Sequence, residues 1–340
     1  MTSETHRGST GTGAEAVGRL VDAGPVALAL QGGGSHGAYT WGVLDGLLAD
    51  ARHPIEAASG ASAGAVNAVV MAQGLLDGGP EGARRHLAKL WETIARGGLA
   101  NPLGTTAAAI SLDVVTRFLS PYQLNPWQLN PLRTLLESLV DFPALRKHPP
   151  IKLFIAATHL RTGQPHIFRE HELTVEMVLA SACLPQLQHA VVVDGEHYWD
   201  GGYSANPPVV ALLDQIEADD LVVVQLNPNE QENVPKTSSQ IIGRMSRMMF
   251  NAPLLRELEF IEELKTHGKP TLGFASPMAR KVHNLRLHRI GVDAIEPELK
   301  RNNALSTRRS FLHWLRDQGR EQATQLLGPK AELHAQARSA

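Results

Sequence analysis

The first strong hydrophobic run, Val26-Ala27-Leu28-Ala29-Leu30, has no polar alternation, which predicts a strand buried on both faces of a sheet. The glycine-rich stretch Gln31-Gly32-Gly33-Gly34-Ser35-His36-Gly37 follows, and Trp41, Leu44 and Leu48 then recur at helical spacing. A shorter apolar run from Ile55 ends in Gly60-Ala61-Ser62-Ala63-Gly64 and passes into an Ala- and Val-rich helical pattern over Ala65 to Leu75. Helices are predicted over Glu81 to Ile94, where Leu87, Leu90, Trp91 and Ile94 share a face, and over Ala107 to Leu119. From Ser120 to Leu132, Pro121, Pro126 and Pro131 preclude a long helix among closely spaced aromatic and leucine residues.

Ile151 to Thr158 and Gln164 to Phe168 predict paired strands about Arg161-Thr162-Gly163, and Leu173 to Ser181 predicts a helix. An aromatic run, His197-Tyr198-Trp199, then reaches Asp200 and stops at Gly201-Gly202; another strand is predicted over Leu221 to Leu226. The polar segment from Asn227 to Ser239 reads as an exposed loop. Ile241, Met245, Met248 and Met249, then Leu255, Leu258, Ile261 and Leu264, repeat at helical spacing on either side of Pro253. Val282 to Ile290 alternates like a strand, and Leu305 to Leu327 predicts a closing helix.

These elements imply an α/β fold with a largely parallel central sheet and flanking helices, as one domain over residues 25–328. A flexible lead with a short helix over Ala14 to Asp22 is expected at 1–24, and a frayed tail at 329–340. Hydrophobic residues make up 43% of the 340, which excludes wholesale disorder. With 32 basic and 34 acidic residues the net charge is -2, so there is no electrostatic footprint for nucleic acid. Cys183 is the one cysteine; it excludes an internal disulfide or thiolate metal cluster and fits a reducing, cytoplasmic location. The polar start carries no secretory core, and no run of apolar residues is long enough to span a membrane.

The stretch around Ser62 has the strand, sharp turn, helix order of a nucleophile elbow, where small neighbours make room for a strained turn that exposes a hydroxyl. An ordinary helix cap is the plainer reading of the same residues. The loop at Gly32, Gly34 and Gly37 satisfies G-x-G-x-x-G, and its amides at a helix N-terminus favour negative charge. A dinucleotide pyrophosphate is one candidate anion, but the next strand runs into Gly60 and Ser62 rather than to an acidic residue that would hold a ribose. The preferred anion is the oxyanion formed when a serine attacks an ester, held by the Gly32, Gly33 and Gly34 amides. The two glycines after Asp200 would let its carboxylate project from a tight turn beside another backbone. A plain Asp-Gly turn is the alternative.

Gly32-Gly33-Gly34-x-x-Gly37, Gly60-x-Ser62-x-Gly64 and Asp200-Gly201 resemble, in the same order, the motifs of the patatin-like phospholipase family. The resemblance runs from about Val26 to Pro208 and on through the strand to Leu226. It implies a patatin-like three-layer fold and a serine–aspartate dyad without a catalytic histidine. Ser62 would be the nucleophile, Asp200 the base, and Gly32, Gly33 and Gly34 the oxyanion hole, with Gly37, Gly60, Gly64, Gly201 and Gly202 as supporting motif glycines. It implies a lipid or ester substrate and neither metal nor organic cofactor. One departure stands out: His36 occupies the place where the family commonly has Arg or Lys. Leu184 and Leu187 are candidate lining residues, and 120–132 is either an acyl-binding wall or a packed loop.

Three other readings use the same residues. An intracellular polyester depolymerase or an acyltransferase would share the dyad. A histidine-dependent α/β-hydrolase would add a later histidine such as His283 or His288. A non-enzymatic lipid-binding protein would keep only the pocket. The methionine-bearing face after Ile241 suits core packing, a mobile lid, a homodimer seam or peripheral contact with a lipid surface.

Overall fold

The computed structural model describes residues 19–20, 22–97, 130–228, 234–267, 277–301 and 306–328. The expected helix over Ala107 to Leu119, most of the Ser120 to Leu132 segment and the C-terminal tail lie outside them, as do six of the nine residues of the expected helix over Ala14 to Asp22. Leu20, expected in a flexible lead, is instead buried, and its amide donates to the Leu326 carbonyl at 3.0 Å.

Strands β1 (Val26–Leu30), β2 (Ile55–Gly60), β3 (Lys152–His159), β4 (Pro165–Arg169), β5 (Val191–Val193), β6 (Glu196–Asp200), β7 (Asp220–Val224) and β8 (Arg286–Ile290) form one sheet in the order β5-β6-β3-β2-β1-β7-β8, with β4 paired to β3. β3, β2, β1, β7 and β8 run parallel, while β4, β5 and β6 add antiparallel pairings at one side. β1 lies at the centre of the five parallel strands and every residue of it is buried. Its alternation divides two hydrophobic layers: Val26, Leu28 and Leu30 join one cluster, Ala27 and Ala29 the other.

The first layer is built by helices α1 (Gly37–Leu48), α2 (Ala63–Ala95), α3 (Pro131–Leu139), α4 (Phe142–Lys147), α5 (Val175–Ser181) and the closing helix Arg309–Leu327. α6 (Val209–Leu213), α7 (Ser238–His267) and α8 (Pro277–Asn284) cover the opposite face. Helices cover both faces of the central strands, which is why β1 and Leu221 to Val224 of β7 read as unbroken apolar runs.

The two helical patterns expected over Ala65 to Leu75 and Glu81 to Ile94 are the halves of α2, folded at Gly78 and Gly79, the latter at φ +60°. The strand expected over Val282 to Ile290 is corrected. Its first residues belong to α8, where Met278 and Val282, four apart, face the second core layer and Lys281 Nζ donates to the Glu217 and Ala218 carbonyls at 2.7 Å each. Only Arg286–Ile290 is strand. Proline 131 opens α3, with the Asn130 side chain accepting from the Leu132 amide, so the predicted break there becomes a capped helix start.

α1 and the closing helix pack at backbone distance. A Cβ at Gly42 would overlap the Arg316 carbonyl oxygen, and one at Gly319 the Tyr39 carbonyl oxygen. Gly42→Ala should therefore destabilise the fold by about 2 kcal/mol despite alanine's better helix propensity. Gly243→Ala, where the nearest atom is a flexible arginine tip at 4.0 Å, should cost nothing; urea midpoints for the pair check this.

Candidate active site

The register of β3 explains how distant segments meet. β4 pairs with Phe154 through Thr158 along one edge of β3. On the other edge β2 runs parallel until Gly60 reaches Ile155, while β6 runs antiparallel until Asp200 reaches Ala157. The two strands thus point their C-terminal ends at each other across Ala156. Ser62 lies two residues beyond the end of β2, and Asp200 is the last residue of β6.

Ser62 sits at φ 53°, ψ -125°, in the positive-φ region that side chains rarely adopt. Its amide donates to the Ser181 carbonyl at 3.0 Å and to Ser181 Oγ at 3.1 Å. The Asp200 amide donates to the Cys183 carbonyl at 2.8 Å, and Thr158 Oγ1 donates to the Asp200 carbonyl at 2.7 Å. One short stretch, Ser181 to Cys183, therefore holds both halves of the site.

Asp200 is wholly buried. Its Oδ1 accepts from the Gly202 amide at 2.8 Å, whereas Oδ2 has no hydrogen-bond partner of good geometry among the described residues. Burial pushes the carboxyl up to about 7, with the Gly202 amide and the adjacent Ser62 hydroxyl pulling weakly the other way. Desolvation wins because neither donor replaces the lost hydration of a full charge.

The glycine loop lies directly against the serine. A Cβ at Gly32 would stand 2.7 Å from both the Ser62 Cβ and the Ala61 carbonyl oxygen, so only glycine fits there. The Gly32 amide donates to Asn206 Oδ1 at 2.7 Å, which corrects the expectation that all three amides face the reaction. Those of Gly33 and Gly34 donate to no described residue, and Gly34 turns the loop at φ 59°. Gly37 packs on Ala63 and Trp91, Gly60 on Gly64, and Gly64 on the end of β1; Gly201 abuts the Ala156 carbonyl, and Gly202 lies under the Phe250 ring.

Several positioning groups carry no sequence motif. Asn206 also donates from Nδ2 to the Phe250 carbonyl at 2.8 Å, tying the loop to α7. Gln31 donates from Nε2 to Asn251 Oδ1 at 3.0 Å and accepts from the Leu226 amide at 2.7 Å. Asn67 donates to the Gly37 and Ala63 carbonyls at 3.1 and 3.0 Å and accepts from Trp91 Nε1 at 2.9 Å, joining the loop helix to the elbow helix.

His36 is lowered to about 4 by burial first and by the nearby Arg247 charge second. It is neutral at pH 7, and the cation that acts on it is Arg247 of α7. A cleft of about 610 Å³ beside the Asp-Gly turn is lined by Thr158, Leu160, Gly163, Pro185, Gln186, Trp199 and Tyr203. His288 Nε2 bonds to Asp220 Oδ1 at 2.7 Å. Asp220 pairs with Val26, at the other end of β1 from the glycine loop and roughly 13 Å away. His283 lies on α8, ahead of that same strand end. Among the described residues no group of three or more His, Cys, Asp or Glu is placed to hold a metal ion.

The profile of the family described as patatin-like phospholipase matches residues 28–213. No curated protein sequence matches. Among solved structures, VipD from Legionella pneumophila is similar at 15% identity and TM-score 0.42, covering 91% of this chain and 67% of that one. ExoU of the Pseudomonas aeruginosa type III secretion system, in complex with SpcU, is similar at 17% identity and TM-score 0.28; 71% of this chain and 52% of ExoU are covered.

A raised carboxyl pKa has a stability consequence of definite sign. Above about pH 7 Asp200 is charged in both folded and unfolded chains, and only the folded chain carries the desolvation cost; below about pH 4 it is neutral in both. Stability should fall as pH rises from 4 to 7. Asp200→Asn should stabilise the fold at pH 8 by on the order of 3 kcal/mol and hardly at all at pH 4, as measured by urea unfolding at the two pH values.

Proposed function

The chain belongs to the patatin-like phospholipase family, and on that premise we propose that it hydrolyses carboxylic esters of lipids through Ser62 and Asp200. The observation that carries this reading is the pairing of a hydroxyl on a strained turn with a buried carboxylate, at the point where two strand ends converge beneath a glycine loop.

The ester carbonyl lies against the glycine loop. Ser62 Oγ attacks its carbon as the hydroxyl proton passes to Asp200, whose Oδ2 accepts no hydrogen bond of good geometry from the described residues. The Gly33 and Gly34 amides hold the oxyanion, and Asn206, by engaging the Gly32 amide, fixes the loop that carries them. Collapse of the intermediate breaks the ester C–O bond; the proton moves from Asp200 to the departing alcohol, leaving the acyl group on Ser62. Water then gives its proton to Asp200 and attacks the acyl carbon, and Ser62 leaves with that proton as the fatty acid is released. A base near 7 suits both steps, because an ordinary aspartate at 3.8 would be a far weaker acceptor.

Ser62→Ala and Asp200→Asn should each lower turnover of short acyl esters about a thousandfold or more, and the double variant should lose little beyond either single one, because the pair acts as a unit. Labelling by a fluorophosphonate should vanish in Ser62→Ala. Near-normal turnover in Asp200→Asn would falsify the dyad, and abolished turnover in a folded His288→Ala variant would favour a triad.

The pH profile offers a separate check. Asp200 must be ionised to accept the proton, so kcat/KM should rise with pH through an apparent midpoint near 7 and then level. A profile flat from pH 5 to 8 would exclude Asp200 as the titrating base.

A further inference from the structure

α7 has two apolar faces. Leu254, Leu258 and Ile261 are buried in the second core layer, as an amphipathic helix requires. Its N-terminal half presents a second set to solvent: Ile241, Ile242, Met245, Met248 and Met249 are all exposed, Met248 at 62%. At 100° per residue Ile241, Met245 and Met248 fall within one narrow stripe, with Ile242 and Met249 at its edge. An exposed cluster of this kind needs an occupant.

Charge says which. From Val234 to Arg256 the chain holds Lys236, Arg244, Arg247 and Arg256 and no acidic residue, in a protein of net charge -2. The acids of the helix begin at Glu257, in the half that is docked. One carboxylate from elsewhere, Glu296, approaches Arg247, so the surface is cationic on balance but not uniformly so. Flexible thioethers and β-branched side chains flanked on one side by Arg244 and Arg247 fit a lipid surface, with the apolar stripe among acyl chains and the guanidinium groups at the level of anionic headgroups.

The position of the stripe gives it a use. It ends at Phe250 and Asn251, where Phe250 covers Gly202 and Asn251 accepts from Gln31. We propose that the N-terminal half of α7 seats the chain on a membrane bearing anionic lipid, and that this seating brings the mouth of the Ser62 site to the lipid interface. The second clause rests on the hydrolase reading; the first does not.

The test uses the full chain carrying Ser62→Ala, so that no lipid is consumed, with sedimentable vesicles of phosphatidylcholine alone or mixed with phosphatidylglycerol. The protein should pellet with the mixed vesicles, much less with phosphatidylcholine, and release as salt is added. Adding Met245→Ser and Met248→Ser should lower partitioning about tenfold or more. In the chain with Ser62 intact, the same two changes should spare turnover of a soluble butyrate ester while abolishing hydrolysis of vesicle lipid. Failure to pellet with mixed vesicles, or partitioning unchanged by the two substitutions, overturns the proposal. So does a dimer that these substitutions split, since the face would then join two copies of the chain. Vesicle binding with no ester turnover in the unsubstituted chain would leave the seating intact and sink the hydrolase reading.

Discussion

A buried carboxylate held against a hydroxyl is the constraint around which this structure is arranged. Buried in this way, the group holds a proton more tightly than an exposed aspartate does. Here it is kept where it is by backbone: the Asp200 amide and carbonyl are both bonded, and the strand carrying it is paired along β3. The energy that holds the charge in place comes from the sheet and its two apolar layers, not from the site. A site of this kind is a local loss of stability supported by the remainder of the fold.

The second requirement is mutual position. Three chain segments far apart in sequence must agree to within a fraction of an ångström, and short polar side chains achieve this. Asn206 bridges the glycine loop and α7, Asn67 bridges α1 and α2, and Ser181 receives the elbow amide. All three are buried, and Asn206 and Asn67 are bonded at both ends, so those two act as spacers of fixed length rather than as flexible tethers. Glycine serves the complementary purpose at Gly32, where no side chain can stand between loop and serine.

α7 joins the site to the outside. Its buried half packs on the sheet, its middle contributes Phe250 and Asn251 to the walls of the site, and its exposed half carries apolar and cationic residues together. Arg247 belongs to that exposed half and yet lowers the proton affinity of His36 beside the glycine loop.

Much of this was legible in the residues alone, because the signals were local. The unbroken run of β1, the elbow around Ser62 and the two helical halves of α2 depend on spacing within a dozen residues, and such patterns reflect burial on one face or two. Residues 282–290 misled because a short window of alternating character suits either a strand or the end of a helix, and packing against α7 and the second core layer decided for helix up to Asn284. Asn206, Gln31 and Asn67 belong to no periodic pattern; their meaning lies in partners up to 220 positions away. Residue types and their order along the chain determined which hydroxyl, carboxylate and amides were available for chemistry. Tertiary structure alone decided that β2 and β6 meet head to head on one edge of β3, that Asn206 takes the first of the three amides, and that the carboxylate is buried with its proton affinity raised, because pairing register and desolvation are properties of segments brought together in space.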